Sequence, residues 1–331
     1  MKEIDFLVIG SNSFAGSSFV NHLNLINHKV YCVSRRKELN RVFLPYKWNK
    51  KNFKNIFAKI DINKNLNNLI KIIEQIKPKY IINFASQGMV AQSWIDPNDW
   101  YQTNLIGQVS FFEKLKKFKF IKKYIHFTTP EVYGSTTTNI SENFNFSPST
   151  PYAVSRAACD LHLMNMFKAY KFPVIFTRAA NIYGPGQQLY RIIPKTILCC
   201  KLNRKIILDG GGKSTRSFIY MDDVSKALEK IIFKGKIGST YHISTNKLYS
   251  IKDLVKTICN INKRSFKQIV SIGNERLGKD ENYSLSSKKL KNDLKWKPAH
   301  NLEKGLLFTT KWIEEEINIL KKLPHKYIHI K

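Results

Sequence analysis

Apolar runs of four to six residues alternate with amphipathic stretches through the first half of the chain. Residues 4–9 (Ile-Asp-Phe-Leu-Val-Ile) predict a buried strand that runs into a glycine turn and then the helical pattern of Phe19, Val20, His22 and Leu23. Further strands are predicted over 29–33, 56–60, 80–84, 124–127 and 174–178, and helices over 66–76, after Pro97 and over 151–169. Strand–helix units repeated at this spacing predict an α/β chain with a doubly wound parallel sheet. After the turn-rich stretch Asn181-Ile182-Tyr183-Gly184-Pro185-Gly186 the pattern loosens: a helix from 192, a Gly210-Gly211-Gly212 turn, a helix over 251–261 capped by Ser250, and an amphipathic helix over 302–320. This predicts a dinucleotide-binding domain over 1–184. A smaller mixed lobe over 185–331 would bind the substrate, with some chain crossing back, and a loosely ordered tail over 321–331 would follow.

The first turn narrows the sheet to the Rossmann type. Gly10-Ser11-Asn12-Ser13-Phe14-Ala15-Gly16 lies between a strand and a helix, the context in which backbone N–H groups hold a dinucleotide's diphosphate. Gly10, Asn12, Ser13, Phe14 and Gly16 are therefore cofactor candidates, although Ser13 stands where a middle glycine is usual. The second strand ends in Ser34-Arg35-Arg36 with no acid to hold ribose hydroxyls, which favours a 2′-phosphate and so NADP over NAD. Asp61 and Ile62, after the third strand, are placed beside the adenine. Ala85 and Ser86, after the fourth, are small enough for close approach of the cofactor.

Charge changes the picture little. The chain of 331 residues has 55 Lys and Arg against 24 Asp and Glu, a net charge of +31. The lysines are spread over nearly every surface segment, so they predict a solvated basic surface that attracts a diphosphate, and no nucleic-acid partner. The cysteines at 32, 159, 199, 200 and 259 are odd in number and form no C-x-x-C pair, which predicts reduced thiols and no metal. There is no run of eighteen apolar residues, and Met1-Lys2-Glu3-Ile4-Asp5 is unlike a secretory signal. A cytoplasmic protein with no membrane partner is expected.

The chemistry concentrates between Phe127 and Arg156. Thr129-Pro130-Glu131-Val132-Tyr133-Gly134 ends the fifth strand and delivers hydroxyls and a carboxylate. Ser149 or Thr150 then caps a helix with Pro151 in its first turn, and Tyr152 and Arg156 share one face four residues apart. His126 is expected to be a core histidine.

With these motifs, Asn104 and the later arginines in place, the sequence resembles the extended short-chain dehydrogenase/reductase family over about residues 3–315. Within it the chain is most similar to nucleotide-sugar 4,6-dehydratases of the dTDP-glucose and GDP-mannose type, on Thr129-Pro130-Glu131-Val132-Tyr133-Gly134 and Asn181-Ile182-Tyr183-Gly184-Pro185. The resemblance implies an NAD(P)-dependent lyase acting on a nucleotide-diphospho-hexose and yielding a 4-keto-6-deoxy sugar nucleotide for a surface polysaccharide, as a homodimer. It implies Thr129, Glu131, Tyr152 and Arg156 as catalytic residues, the last two also touching the cofactor, and Ser93, Asn181, Arg216 and Arg276 as substrate contacts. Two positions depart from the family. Arg156 replaces the lysine of Tyr-x-x-x-Lys, and Pro130 replaces the acid that the dTDP-glucose type carries between Thr and Glu. A 4-epimerase or 4-dehydrogenase on the same scaffold, and a non-catalytic dinucleotide-binding protein, are the alternative readings.

Overall fold

The computed structural model describes residues 4–48, 55–136, 139–274 and 282–329. Seven strands form its main sheet: β1 (Phe6–Ile9), β2 (Val30–Ser34), β3 (Ile56–Lys59), β4 (Tyr80–Asn83), β5 (Lys123–Thr128), β6 (Val174–Ala179) and β7 (Thr240–Ile243). All neighbours are parallel, in the order β7-β6-β5-β4-β1-β2-β3. Winding reverses between β1 and β4, so the loops after these strands diverge and leave a crevice at the carboxyl edge. Six of the seven strands follow the predicted apolar runs. β7 was not anticipated; it returns from the later half of the chain to extend the sheet beyond β6.

Helices α1 (Phe14–Leu25), α2 (Leu66–Ile76), α3 (Pro97–Tyr101), α4 (Gly107–Leu115), α5 (Pro151–Tyr170), α6 (Ile192–Leu202), α7 (Met221–Lys234) and α8 (Ile251–Ile261) surround it. On one face Phe19, Val20 and Leu23 of α1 and Val224, Leu228 and Ile231 of α7 pack on Val8, Ile82 and Ile125. On the other, Leu69 and Ile73 of α2, Phe111 and Phe112 of α4 and Leu163 of α5 cover Leu7, Ile9 and Ile81. A separate cluster joins α6 and α8 to the helix Leu302–Glu315. Each large apolar side chain so buried contributes about 1.5–3 kcal/mol, which fixes the layers and hence the strand ends.

A buried polar network lies beneath the carboxyl edge. Asp160 of α5 accepts a hydrogen bond from Arg178 Nη2 of β6 at 2.8 Å and lies 3.2 Å from His126 Nε2 of β5. All three side chains are essentially inaccessible, as expected for His126. Burial, outweighing the nearby Asp160, keeps His126 below its usual pKa and therefore neutral. Asp160→Ala is expected to lower the unfolding free energy by about 3–5 kcal/mol, because it strands the Arg178 guanidinium. Urea unfolding of the variant checks this, and an unchanged midpoint would deny the pair a structural role.

Candidate active site

The glycine turn is built as its sequence requires. Gly10 has φ +81°, and a Cβ there would stand 2.7 Å from Ala85 N. A Cβ on Gly16 would run into the Gly10 carbonyl, so α1 sits tightly on the turn. Ser13 replaces a glycine without strain. Its φ is −69°, and its hydroxyl accepts from Gly16 N at 3.0 Å as the N-cap of α1. Phe14 and Ala15, the first residues of α1, keep N–H groups with no intrahelical acceptor. Asn12 donates to Arg36 O and Lys37 O, and its own buried Oδ1 has no partner. The open N–H groups at the start of α1 fit the diphosphate end of a dinucleotide.

The other cofactor candidates lie at the same edge. Ser34 Oγ accepts from Asn12 N at 2.9 Å, and Arg35 and Arg36 follow directly. Burial, and then the neighbouring Arg35 charge, hold Arg36 below its ordinary pKa. Asp61 Oδ1 caps its own turn by accepting from Asn63 N, Ile62 packs on the α2 side of the sheet, and Ala85 and Ser86 follow β4. Asn104, in a π-turn between α3 and α4, pairs with both backbone groups of Gln87 and donates to Ser155 Oγ at 3.0 Å. It thereby locks the loop after β4 to α5.

Thr150 proves to be the cap of α5, accepting from Ala153 N at 3.2 Å, with Pro151 at the first position. The opposing group comes from the end of β5. Thr129 caps the short turn Pro130–Tyr133 and accepts from Glu131 N at 3.3 Å. Tyr152 and Thr129 share a side-chain hydrogen bond, and the charges of Glu131 and Arg156 both act on the phenol. Thr129 thus contacts the Tyr152 hydroxyl directly, while Glu131 and Arg156 act on it through their charges. The surroundings of Tyr152 do not lower its pKa. Burial, then Glu131, push it up, against the downward pull of Arg156, Thr129 and Arg191. Arg156 is 2% exposed and donates to Phe127 O at 2.6 Å, so its head is tied to β5.

The remaining candidates are Ser93, Asn181, Arg216 and Arg276. Ser93 is fully buried. Its hydroxyl donates to Val90 O at 2.6 Å and accepts from Tyr152 N at 3.2 Å, which makes it a tether for the start of α5. Asn181 pairs in register with Phe218 and donates to Ser217 O, which brings it beside Arg216 on the short strand Thr215–Arg216. Arg276 lies outside the described residues. Sequence reasoning missed Arg191, the N-cap residue of α6. Its charge reaches Tyr152, and its Nη2 lies 3.9 Å from where a Cβ on Gly88 would be. A cation at a helix N-terminus opposes the helix dipole, and that was the available signal.

Comparison with known proteins places this geometry. The family model described as GDP-mannose 4,6 dehydratase matches residues 7–307. A trifunctional UDP-glucose 4,6-dehydratase/UDP-4-keto-6-deoxy-D-glucose 3,5-epimerase/UDP-4-keto-L-rhamnose-reductase of Arabidopsis thaliana is 32% identical over 93% of this chain and 46% of its own. The chain thus spans about half the length of that plant relative. The dTDP-D-glucose 4,6-dehydratase of Homo sapiens is 32% identical over 76% of this chain and 73% of its own. Among solved structures, dTDP-glucose 4,6-dehydratase from Bacillus anthracis in complex with NAD superposes with a TM-score of 0.86. It covers 96% of this chain and 99% of its own at 28% identity. A family model matched over nine-tenths of the sequence, on a sheet and glycine turn of this form, shows that the chain belongs to the GDP-mannose 4,6 dehydratase family.

Proposed function

We propose that this chain is an NAD(P)-dependent nucleotide-sugar 4,6-dehydratase of the dTDP-glucose type, forming a 4-keto-6-deoxy sugar nucleotide. What supports the reading is the hydrogen bond between Thr129 and the Tyr152 hydroxyl, with the charges of Glu131 and Arg156 acting on the same phenol. When bound, a nicotinamide would accept hydride from the sugar and later return it, held by the glycine turn and by Ser34, Arg35 and Arg36. Tyr152 takes the proton of the sugar 4-OH, and Thr129 orients the two oxygens. The 4-ketone acidifies C5, whose proton Glu131 removes as the C6 hydroxyl departs. Pro130 is buried and offers no acid, so Glu131 returns that proton to the leaving oxygen as water. The proton that Tyr152 took from the 4-OH, exchanged with solvent, then reaches C5, which restores the phenolate and closes the proton count.

Arg35 and Arg36 hold the 2′-phosphate end in this reading, so NADP is preferred to NAD. Asn181, Arg216 and Arg276 hold the sugar nucleotide's diphosphate. Among the described residues no helix is long and apolar enough to cross a membrane. We place the enzyme in the cytoplasm as a homodimer. The dimer reading is supported by exposed Val154 and Leu161, seven residues apart on α5, beside exposed Ile106.

A hexose panel tests the function. With NAD or NADP supplied separately, dTDP-glucose should give a product lighter by one water, ahead of UDP-glucose and GDP-mannose. A product of unchanged mass with C4 inverted would replace the dehydratase by an epimerase. The same run ranks the two cofactors.

A further inference from the structure

The last described residues are an extended segment with regular alternation. Leu323, His325, Tyr327 and His329 are half-buried, while residues 324, 326 and 328 are exposed. The segment starts on the C-terminal lobe, where Leu323 packs on the α6–α8 cluster and His325 Nε2 lies 3.2 Å from Leu320 O. It passes the loop before α6, where Tyr327 meets Tyr190 edge to face with centroids 5.3 Å apart. It ends on the opposite lobe. There His329 Nε2 lies 2.6 Å from Asp99 Oδ2, and its ring stacks on Trp100 of α3 at 4.9 Å. Tyr327 Oη and His329 Nδ1 are 3.2 Å apart, so the inward-facing rings form one connected row.

This path runs along the edge of the site. Arg191, adjacent to the Tyr190 that Tyr327 packs on, has its Nη2 3.9 Å from where a Cβ on Gly88, in the loop after β4, would be. The charges of Arg35, Arg36 and Arg191 act on Tyr327. The Arg191 guanidinium lies over the Tyr190 ring at 5.5 Å. An aromatic row beside three arginines, bridging the two lobes, forms a wall for an anionic, aromatic ligand.

We infer that residues 324–329 are a strap over the adenosine-phosphate end of the dinucleotide cleft, with Tyr327 facing the bound nucleotide and His329 as the latch. This rests on the proposed function, in which Arg35 and Arg36 hold that end of the cofactor. The latch is one histidine–carboxylate contact, with 24% and 23% of the two side chains exposed, and one stacked ring, a small closure that opens readily. The strap therefore slows nucleotide release and does not prevent entry. A dehydratase that regenerates its cofactor in place gains from that slow release, because the nucleotide need not leave between turnovers.

The test is stopped-flow displacement of NADPH and of NADH from four proteins: the parent chain, a chain ended after Leu323, Tyr327→Ala and His329→Ala. Truncation is expected to speed release about tenfold, with the association rate within twofold of the parent. Tyr327→Ala and His329→Ala should fall between parent and truncation, and the ligand-free Tm of His329→Ala should match the parent. Release unchanged by truncation and by His329→Ala, in a parent that binds nucleotide, overturns the strap and leaves the proposed function standing. Tighter binding on truncation also overturns it, since the segment would then block the site. A parent that binds neither nucleotide overturns the proposed function and the strap with it.

Discussion

Tyr152→Phe is expected to lower kcat by about 10²–10⁴-fold, the range for loss of a positioned proton-transfer group. The phenyl ring fills the same space on α5, and Thr150 and Pro151 still begin the helix, so folding should not change. The lost atom is the oxygen that Thr129 shares and on which Glu131 and Arg156 both act. Because this proton transfer belongs to the transition state, KM for the sugar nucleotide should change little while kcat falls. A pH profile separates this from a structural effect. Burial and Glu131 raise the Tyr152 pKa, so the reactive phenolate is the minor form at neutral pH and grows as pH rises. The parent's kcat/KM should climb on the alkaline side, and the residual activity of the variant should not. A variant that keeps that climb would assign the titration to another group and remove Tyr152 from its role.

Much of this arrangement was legible in the sequence, for local reasons. The strands ending at Ile9 and Ser34 are continuous apolar runs closed by turn residues, and α2 is amphipathic with bounds that match the predicted 66–76. The capped start of α5 was readable because Thr150, Pro151 and the following helix formers all favour the same boundary. What was not legible depends on partners far along the chain. β7 offers only Tyr241 and Ile243 as apolar positions. It is held by distant groups: Glu142 accepts from His242 N at 2.9 Å, and the His242 ring meets Tyr133 Oη at 2.9 Å. The tail was read as loosely ordered because its lysines mark solvent. Its order comes from Asp99, Trp100 and Tyr190, more than a hundred residues away.

The site shows the same limit. Spacing placed Tyr152 and Arg156 on one helix face, but the sign of the Tyr152 pKa shift depends on depth, and no spacing reports depth. Arginine at 156 suggested a cation aimed at the phenol. Its tie to Phe127 O shows why the longer, forked side chain is accommodated: a β5 carbonyl takes one arm. Ser93 has a tie that no spacing reports: its hydroxyl donates to Val90 O and accepts from Tyr152 N at the start of α5.

Glu131→Gln is expected to abolish exchange of the sugar C5 proton with D₂O and to lower dehydration by about 10²–10⁴-fold, while oxidation at C4 survives. Glu131 is positioned from its backbone: its N–H donates to Thr129 Oγ1, and buried Pro130 fixes the turn ahead of it. Glutamine keeps that turn and nearly the same shape but cannot accept the C5 proton. The reaction should therefore stop after the 4-ketone forms, and reduced nicotinamide should accumulate on the enzyme. Removing the carboxylate also removes one of the two influences that raise the Tyr152 pKa, so that oxidation should shift its pH dependence to lower pH. Both readouts come from one experiment in D₂O: mass spectrometry for C5 label and absorbance for reduced cofactor. A parent that incorporates no C5 label would mean that the carboxylate never meets that carbon and would favour the epimerase. Label persisting in Glu131→Gln would give the base's role to another residue. In the proposed function, the acid at 131 is what divides elimination from simple oxidation and return.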